Sequence, residues 1–292
     1  MVGSAIGGPF QDRVGRRWSL GVSSIVCAAG IAICFLSNLP GDPNGRRGTF
    51  TAGKFVEGAS IGTMLCTTQT YMSEVLPPTL RGPVLAFFPI FTLLGQLLGA
   101  VAVFASLNYA GDISFRVPFA SQWPFSVVTV ILSWIMPESP VWLIRRGLLE
   151  KASQCQRRLR DDADEVIQEM QEALRHESEE VSERLSYLEC FRGVNRRRTL
   201  IVIFANLLPQ LFGLKLLSLV SYFIQVVGMD ANLSLIMLIV GIIAGVMANV
   251  MSLWTLKSFG RRPLCITTLV IAAVFWASMG ISGFFEGQAV VW

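Results

Sequence analysis

Charge is what this sequence most lacks. Aspartate, glutamate, lysine and arginine together supply only 15% of its 292 residues, against about 25% in soluble domains. A soluble protein of this length needs more polar surface than that. Histidine is almost missing: His176 is the single copy and lies in a charged stretch, where a solvated surface position explains it. Metal catalysis and Ser-His-Asp chemistry therefore lack raw material, and neither enzyme activity nor a cofactor is expected. The six cysteines (Cys27, Cys34, Cys66, Cys155, Cys190 and Cys265) show no CxxC or metal-ligand spacing. Four of them fall in apolar blocks, where cysteine behaves as a small hydrophobe. No cleavable signal peptide is expected either, because Met1 leads straight into a short Gly-rich stretch and then charges.

What is present is grease, in blocks. Hydrophobic residues make up 52% of the chain and the mean hydropathy is +0.55. Seven blocks, at 18–39, 50–73, 83–106, 118–136, 199–227, 232–256 and 264–285, approach or exceed the ~18 residues of a spanning helix. The fold class expected is an all-α membrane protein with about seven complete transmembrane helices. Met1–Phe10 is apolar but too short to span, and reads as the end of a helix that begins earlier. Between Pro137 and Arg198 the composition turns polar and helix-favouring, predicting short amphipathic helices in a cytosolic linker. Three parts follow: a membrane bundle over 1–136, the linker over 137–198, and a second membrane bundle over 199–292.

Basic residues set the orientation. With the first loop in the cytosol, that side receives Arg13, Arg16, Arg17, Arg81, twelve basic residues of the linker, Lys257, Arg261 and Arg262. The other side receives only Arg46, Arg47 and Arg116, the asymmetry of a positive-inside topology. Topology thereby accounts for the net charge of +4, and no nucleic-acid partner is expected.

Four motifs stand out. Gly8-Pro-Phe-Gln-Asp12-Arg13-Val-Gly15-Arg16-Arg17 occupies the loop after the first apolar stretch. Glycine there suits a tight turn, and its charges can pair with neighbouring helix ends. A weaker copy, Lys257-Ser-Phe-Gly260-Arg261-Arg262, follows a later span, the internal repeat of a duplicated helical bundle. Gly53-Lys54-Phe-Val-Glu57-Gly58-Ala-Ser60-Ile-Gly62 leads to Tyr71-Met-Ser73-Glu74, Pro77 and Arg81-Gly82. Small residues in this run permit close helix approach. Last comes Pro137-Glu138-Ser139-Pro140-Val141-Trp142-Leu143.

Together these resemble the sugar-porter branch of the major facilitator superfamily. The departures are Lys257 where the second copy usually begins with Asp, and Val141 where Arg is usual. A drug exporter of the same superfamily fits less well, because Glu138 and the Glu74–Arg81 motif belong to sugar porters. The resemblance implies a twelve-helix fold, of which this sequence carries the end of helix two through helix nine. It also implies alternating access, with a sugar and a proton as partners, in a multi-pass protein of the plasma membrane. A non-transporting product, either a sugar sensor or a defunct fragment, is the alternative. Implied too are inter-bundle salt bridges at the cytoplasmic face, from Asp12, Arg13, Arg16, Glu74, Arg81, Glu138, Arg261 and Arg262. If these pairs are exposed, each is worth roughly 0–1 kcal/mol, and charge serving orientation alone is the plainer reading.

Sugar binding needs polar side chains near the bilayer midplane, where they are costly. Gln96 and Gln210 match the family's fifth- and seventh-helix glutamines, and Tyr222 and Asn249 are weaker candidates. For each glutamine the plainer reading is a helix–helix hydrogen bond, worth ~0.6 kcal/mol. Around Gln210 the motif is altered: Pro209, Lys215 and Leu219 replace a glutamine, an asparagine and a tyrosine. The spacing to Tyr222 and the run Thr70-Tyr71-Met-Ser-Glu resemble the fungal α-glucoside (maltose-type) branch. Glu57 is the acid well inside a span, and so the candidate within this chain for proton coupling.

Overall fold

The computed structural model describes residues 2–158, 163–180, 191–211, 221–222, 225, 228, 230–258 and 260–282. Its regular elements there are all helices, and two compact units emerge: 1–88 with 98–184, and 89–97 with 185–292.

The first unit starts with α1 (Val2–Val14), α2 (Arg16–Leu36) and α3 (Pro43–Val75). Gly15 separates α1 from α2 with φ 101°, a backbone that glycine adopts without a steric cost. Asp42 starts α3 by accepting a hydrogen bond from the Gly45 N–H (3.2 Å), and Pro43 occupies the first turn. This cap carries the helix seven residues ahead of the predicted start at 50. Helices α2 and α3 pack closely: a Cβ on Gly53 would stand 2.6 Å from the Cys34 Sγ, and one on Gly30 would stand 2.8 Å from the Glu57 N. Hydroxyls finish the seam, with Ser19 and Thr67 at 3.2 Å. Helix α1 docks on the other side of α3, where the Thr63 hydroxyl donates to the Gly3 carbonyl (3.1 Å).

Helix α4 (Pro78–Ser106) is followed by α5 (Asp112–Ala120) and α6 (Trp123–Ile135). The single predicted span at 118–136 is thus corrected to two helices starting at 112. Pro124 has no N–H to offer the Ala120 carbonyl, which interrupts the ladder there. Helix α6 packs on α2 through the Ser24 hydroxyl, which donates to the Ser126 carbonyl at 2.8 Å.

The described residues of the polar stretch up to residue 180 form three helices: α7 (Pro140–Arg145), α8 (Leu149–Arg157) and α9 (Ala163–Glu180). They share a small apolar core of Leu143, Ala152 and Ile167, bordered by Trp142, Ile144 and Cys155.

The second unit contains α10 (Gly193–Leu211), α11 (Ala231–Ser258) and α12 (Arg261–Ser282). Among the described residues, three helices are long and apolar enough to cross a membrane: Arg16–Leu36, Leu80–Ser106 and Ala231–Thr255. Helix α3 has the length, but Arg46, Arg47, Lys54, Glu57 and Glu74 lie along it.

Candidate functional site

Arg16 is the centre of the site. It opens α2 directly after Gly15, and only 4% of its surface is exposed. Its Nε and Nη2 donate to the two carboxylate oxygens of Glu74 at 2.9 and 2.7 Å, a bidentate fork joining the start of α2 to the end of α3. Its Nη1 lies 3.2 Å from an Asp12 oxygen and 3.3 Å from the Gln11 carbonyl. The Glu74 side chain is 13% exposed, so a buried guanidinium meets a partly buried carboxylate. The pair is therefore not of the exposed kind worth roughly 0–1 kcal/mol; removing one partner of a fully buried pair costs about 3–5 kcal/mol, and this one lies nearer that limit.

Glu138 approaches from the segment before α7. Its Oε1 accepts from the backbone N–H groups of Arg16 (2.8 Å), Arg17 (3.2 Å) and Ser139 (3.0 Å). Helix α2 has no side-chain cap of its own. The carboxylate thus satisfies its first donors at the positive end of the helix dipole. Gly15 leaves room for it, since a Cβ there would stand 2.5 Å from Oε2. Ser139 closes the ring by donating its hydroxyl to Glu74 (2.6 Å) while capping α7.

The surrounding contacts are ones that the motifs did not single out. Tyr71 donates its hydroxyl to the Pro137 carbonyl (3.1 Å). Arg17 reaches the Ser133 and Trp134 carbonyls at 2.9 and 2.7 Å, the unpaired carbonyl end of α6. The Trp142 indole and Arg146 clip α7 to the end of α1, at the carbonyls of Asp12 (2.9 Å) and Arg13 (2.7 Å). Ser139 and Trp142 stood in the quoted motif, but nothing in their spacing indicates these partners.

The other predicted charges behave differently. Arg13 and Arg81 are exposed, and their side chains form no ion pair among the described residues. The same is true of Arg262, while the side chain of Arg261 lies outside the described residues. Asp12, Arg16, Glu74 and Glu138 therefore assemble together, all within the first unit.

Further along α3, Lys54 pairs with Glu57 at 2.8 Å. The Lys54 ammonium also sits 5.1 Å from the Phe119 ring centre and 6.0 Å from that of Phe50. Glu57 is buried against α2. Of the predicted sugar ligands, Gln96 on α4 and Tyr222 are exposed. Asn249 donates to the Gly245 carbonyl one turn back on its own helix (3.1 Å). The side chain of Gln210, together with Lys215 and Leu219, lies outside the described residues.

The family profile described as "Sugar (and other) transporter" matches residues 1–291. The chain is 28% identical over 292 residues to "MFS transporter fmqE" of Aspergillus fumigatus, covering 99% of this chain and 53% of that protein. It is 27% identical over 291 residues to "Alpha-glucosides permease MPH3" of Saccharomyces cerevisiae, covering 96% and 47%. It spans about half the length of these curated relatives. Among solved structures, the proton:xylose symporter XylE bound to 6-bromo-6-deoxy-D-glucose superposes with a TM-score of 0.77 at 23% identity, over 90% of this chain and 58% of that one. The inward-open xylose transporter XylE from E. coli superposes with a TM-score of 0.71 at 22% identity, over 99% and 63%. The chain belongs to the sugar (and other) transporter family, and its helices take the major facilitator fold.

Proposed function

We propose that this protein moves a sugar across a membrane by alternating access, coupled to a proton, with the Arg16 cluster fastening one end of its first bundle. The match of the family profile along residues 1–291 carries the reading. The cluster supports it chemically. The Arg16–Glu74 fork, capped by Ser139 and Glu138, ties α2, α3 and the start of α7 into one body. Rocking-bundle transport needs such bodies to move as units. Arg13, Arg81, Arg261 and Arg262 are then the cations proposed for a gate that breaks and reforms. Residues 137–198 are the cytosolic connection between two membrane bundles.

Gln96, Gln210, Tyr222 and Asn249 are the proposed sugar contacts. The substrate is a hexose or an α-glucoside, the latter supported by the names of the yeast relatives. Glu57 accepts the proton. When its carboxylate is neutralised, the rings of Phe50 and Phe119 still face the Lys54 ammonium, so the cation is not left bare. The plasma membrane is the proposed location.

Proteoliposomes holding the purified chain test this reading. Maltose and glucose are presented with and without an inward proton gradient. Gradient-driven accumulation that a protonophore abolishes is the expected result. A chain that exchanges neither sugar, with or without the gradient, overturns the proposal.

A further inference from the structure

We propose that the cleft between the first turn of α2 and helices α7 and α8 binds the phosphate-bearing headgroup of an anionic phospholipid of the cytoplasmic leaflet. The inference uses the cytosolic placement of the linker but does not depend on transport.

The cleft has a volume of about 500 Å³, and its wall includes Arg17, Lys151, Arg158, Glu138, Trp18 and Trp142. That size lies within the range of small-molecule sites, roughly 300–1,000 Å³. Its charges do not cancel. The one carboxylate, Glu138, has an oxygen already committed to three backbone N–H groups. Lys151 and Arg158 are exposed and make no ion pair or side-chain hydrogen bond among the described residues. Arg17 spends Nε and Nη2 on the carbonyls ending α6, and its Nη1 makes no hydrogen bond among the described residues. The cleft therefore presents cationic donors in excess, which calls for an anion with several acceptor oxygens.

Position selects the source of that anion. Val22 and Ile25 on α2, with Val127, Ile131, Trp134 and Ile135 on α6, leave apolar surface exposed, and α2 is one of the helices long and apolar enough to cross a membrane. This surface ends at Trp18, 52% exposed, with the Arg17 guanidinium 5.6 Å from its ring. Tryptophan is enriched at the membrane–water interface. Basic pockets on the cytoplasmic side of membrane helices suit anionic headgroups. Acyl chains lying along α2 and α6 bring a phosphate to Arg17, Lys151 and Arg158. A soluble phosphate compound offers the same oxygens but no match for the apolar wall.

Native mass spectrometry of the purified chain, with defined lipids added, tests the assignment. Phosphatidylserine is expected to remain bound, while phosphatidylcholine is lost. Lys151→Gln/Arg158→Gln should weaken phosphatidylserine roughly 30-fold, from two basic residues at a surface. Lys151→Arg/Arg158→Lys should restore it. Arg46→Gln/Arg47→Gln, on the opposite side, should change nothing. Thermal unfolding checks the fold of each variant; should the double variant fail to fold, Lys151→Gln alone is expected to weaken binding roughly 5-fold. Three outcomes overturn the proposal: equal retention of the two lipids, undiminished binding by the folded neutral variants, or inorganic phosphate binding as tightly as phosphatidylserine.

Discussion

Arg16 is buried and Glu74 partly buried, so each depends on the other more than an exposed pair would. Arg16→Ala strands the Glu74 carboxylate and should destabilise the first unit by about 3–5 kcal/mol. Arg16→Lys keeps the charge but loses the fork, and should fall between. Thermal unfolding of the purified variants in detergent ranks the three, and equal midpoints for wild type and Arg16→Ala would remove the pair from the account. Glu57 carries a different expectation. Glu57→Gln should abolish proton-driven sugar accumulation while sugar exchange without a gradient continues; accumulation at the wild-type level excludes Glu57 as the acceptor. The family resemblance of the motifs picked out Arg16, Glu74 and Glu138. The motifs did not separate these from Arg13 and Arg81, which stand in the same strings and form no ion pair among the described residues. Burial decides that difference, and it depends on how α1, α2 and α3 meet, which no single motif records.

At the scale of the helix, the close seam between α2 and α3 rests on glycine. Gly53→Ala places a methyl 2.9 Å from the Cys34 backbone N and closer still to its sulfur. Because a backbone atom cannot swing aside, overpacking of roughly 1–3 kcal/mol is expected, again read by thermal unfolding. A midpoint equal to wild type would mean that the seam yields. Trp142→Phe keeps the ring and loses the indole donor to Asp12. It should cost about 1 kcal/mol and speed hydrogen exchange in α7 and α8 without altering α2. The long apolar blocks located α2, α4 and α11 because bilayer thickness leaves little choice of length. The ends of α3 and the break between α5 and α6 were harder to place. An Asp-Pro cap and a missing proline N–H settle them, and both are local effects that a hydropathy window averages away.

For the whole molecule, sidedness is the property most open to test. A cysteine replacing Lys151 should label only with reagents that reach the cytosol, and one replacing Arg46 only from outside the cell. Labelling of both from one side would reject the topology. The expectation rests on the count of basic residues, where the positive-inside bias is a sum over many positions. The proposed sugar contacts are the opposite case. Gln96, Tyr222 and Asn249 are three scattered polar residues on separate segments, and Asn249 already spends its amide on its own helix. Sequence position says little about which of their faces turn inward.

The carboxylate that caps α2 is supplied from 122 residues further along the chain. During synthesis, then, the leading turn of that helix enters the bilayer surface with its N–H groups still bound to water. It is finished only after the ribosome has added α3 to α6 and reached Glu138. Maturation of this end of the protein is therefore set by the arrival of the linker, and nascent chains halted before Glu138 should show an α2 start that exchanges its amide hydrogens freely.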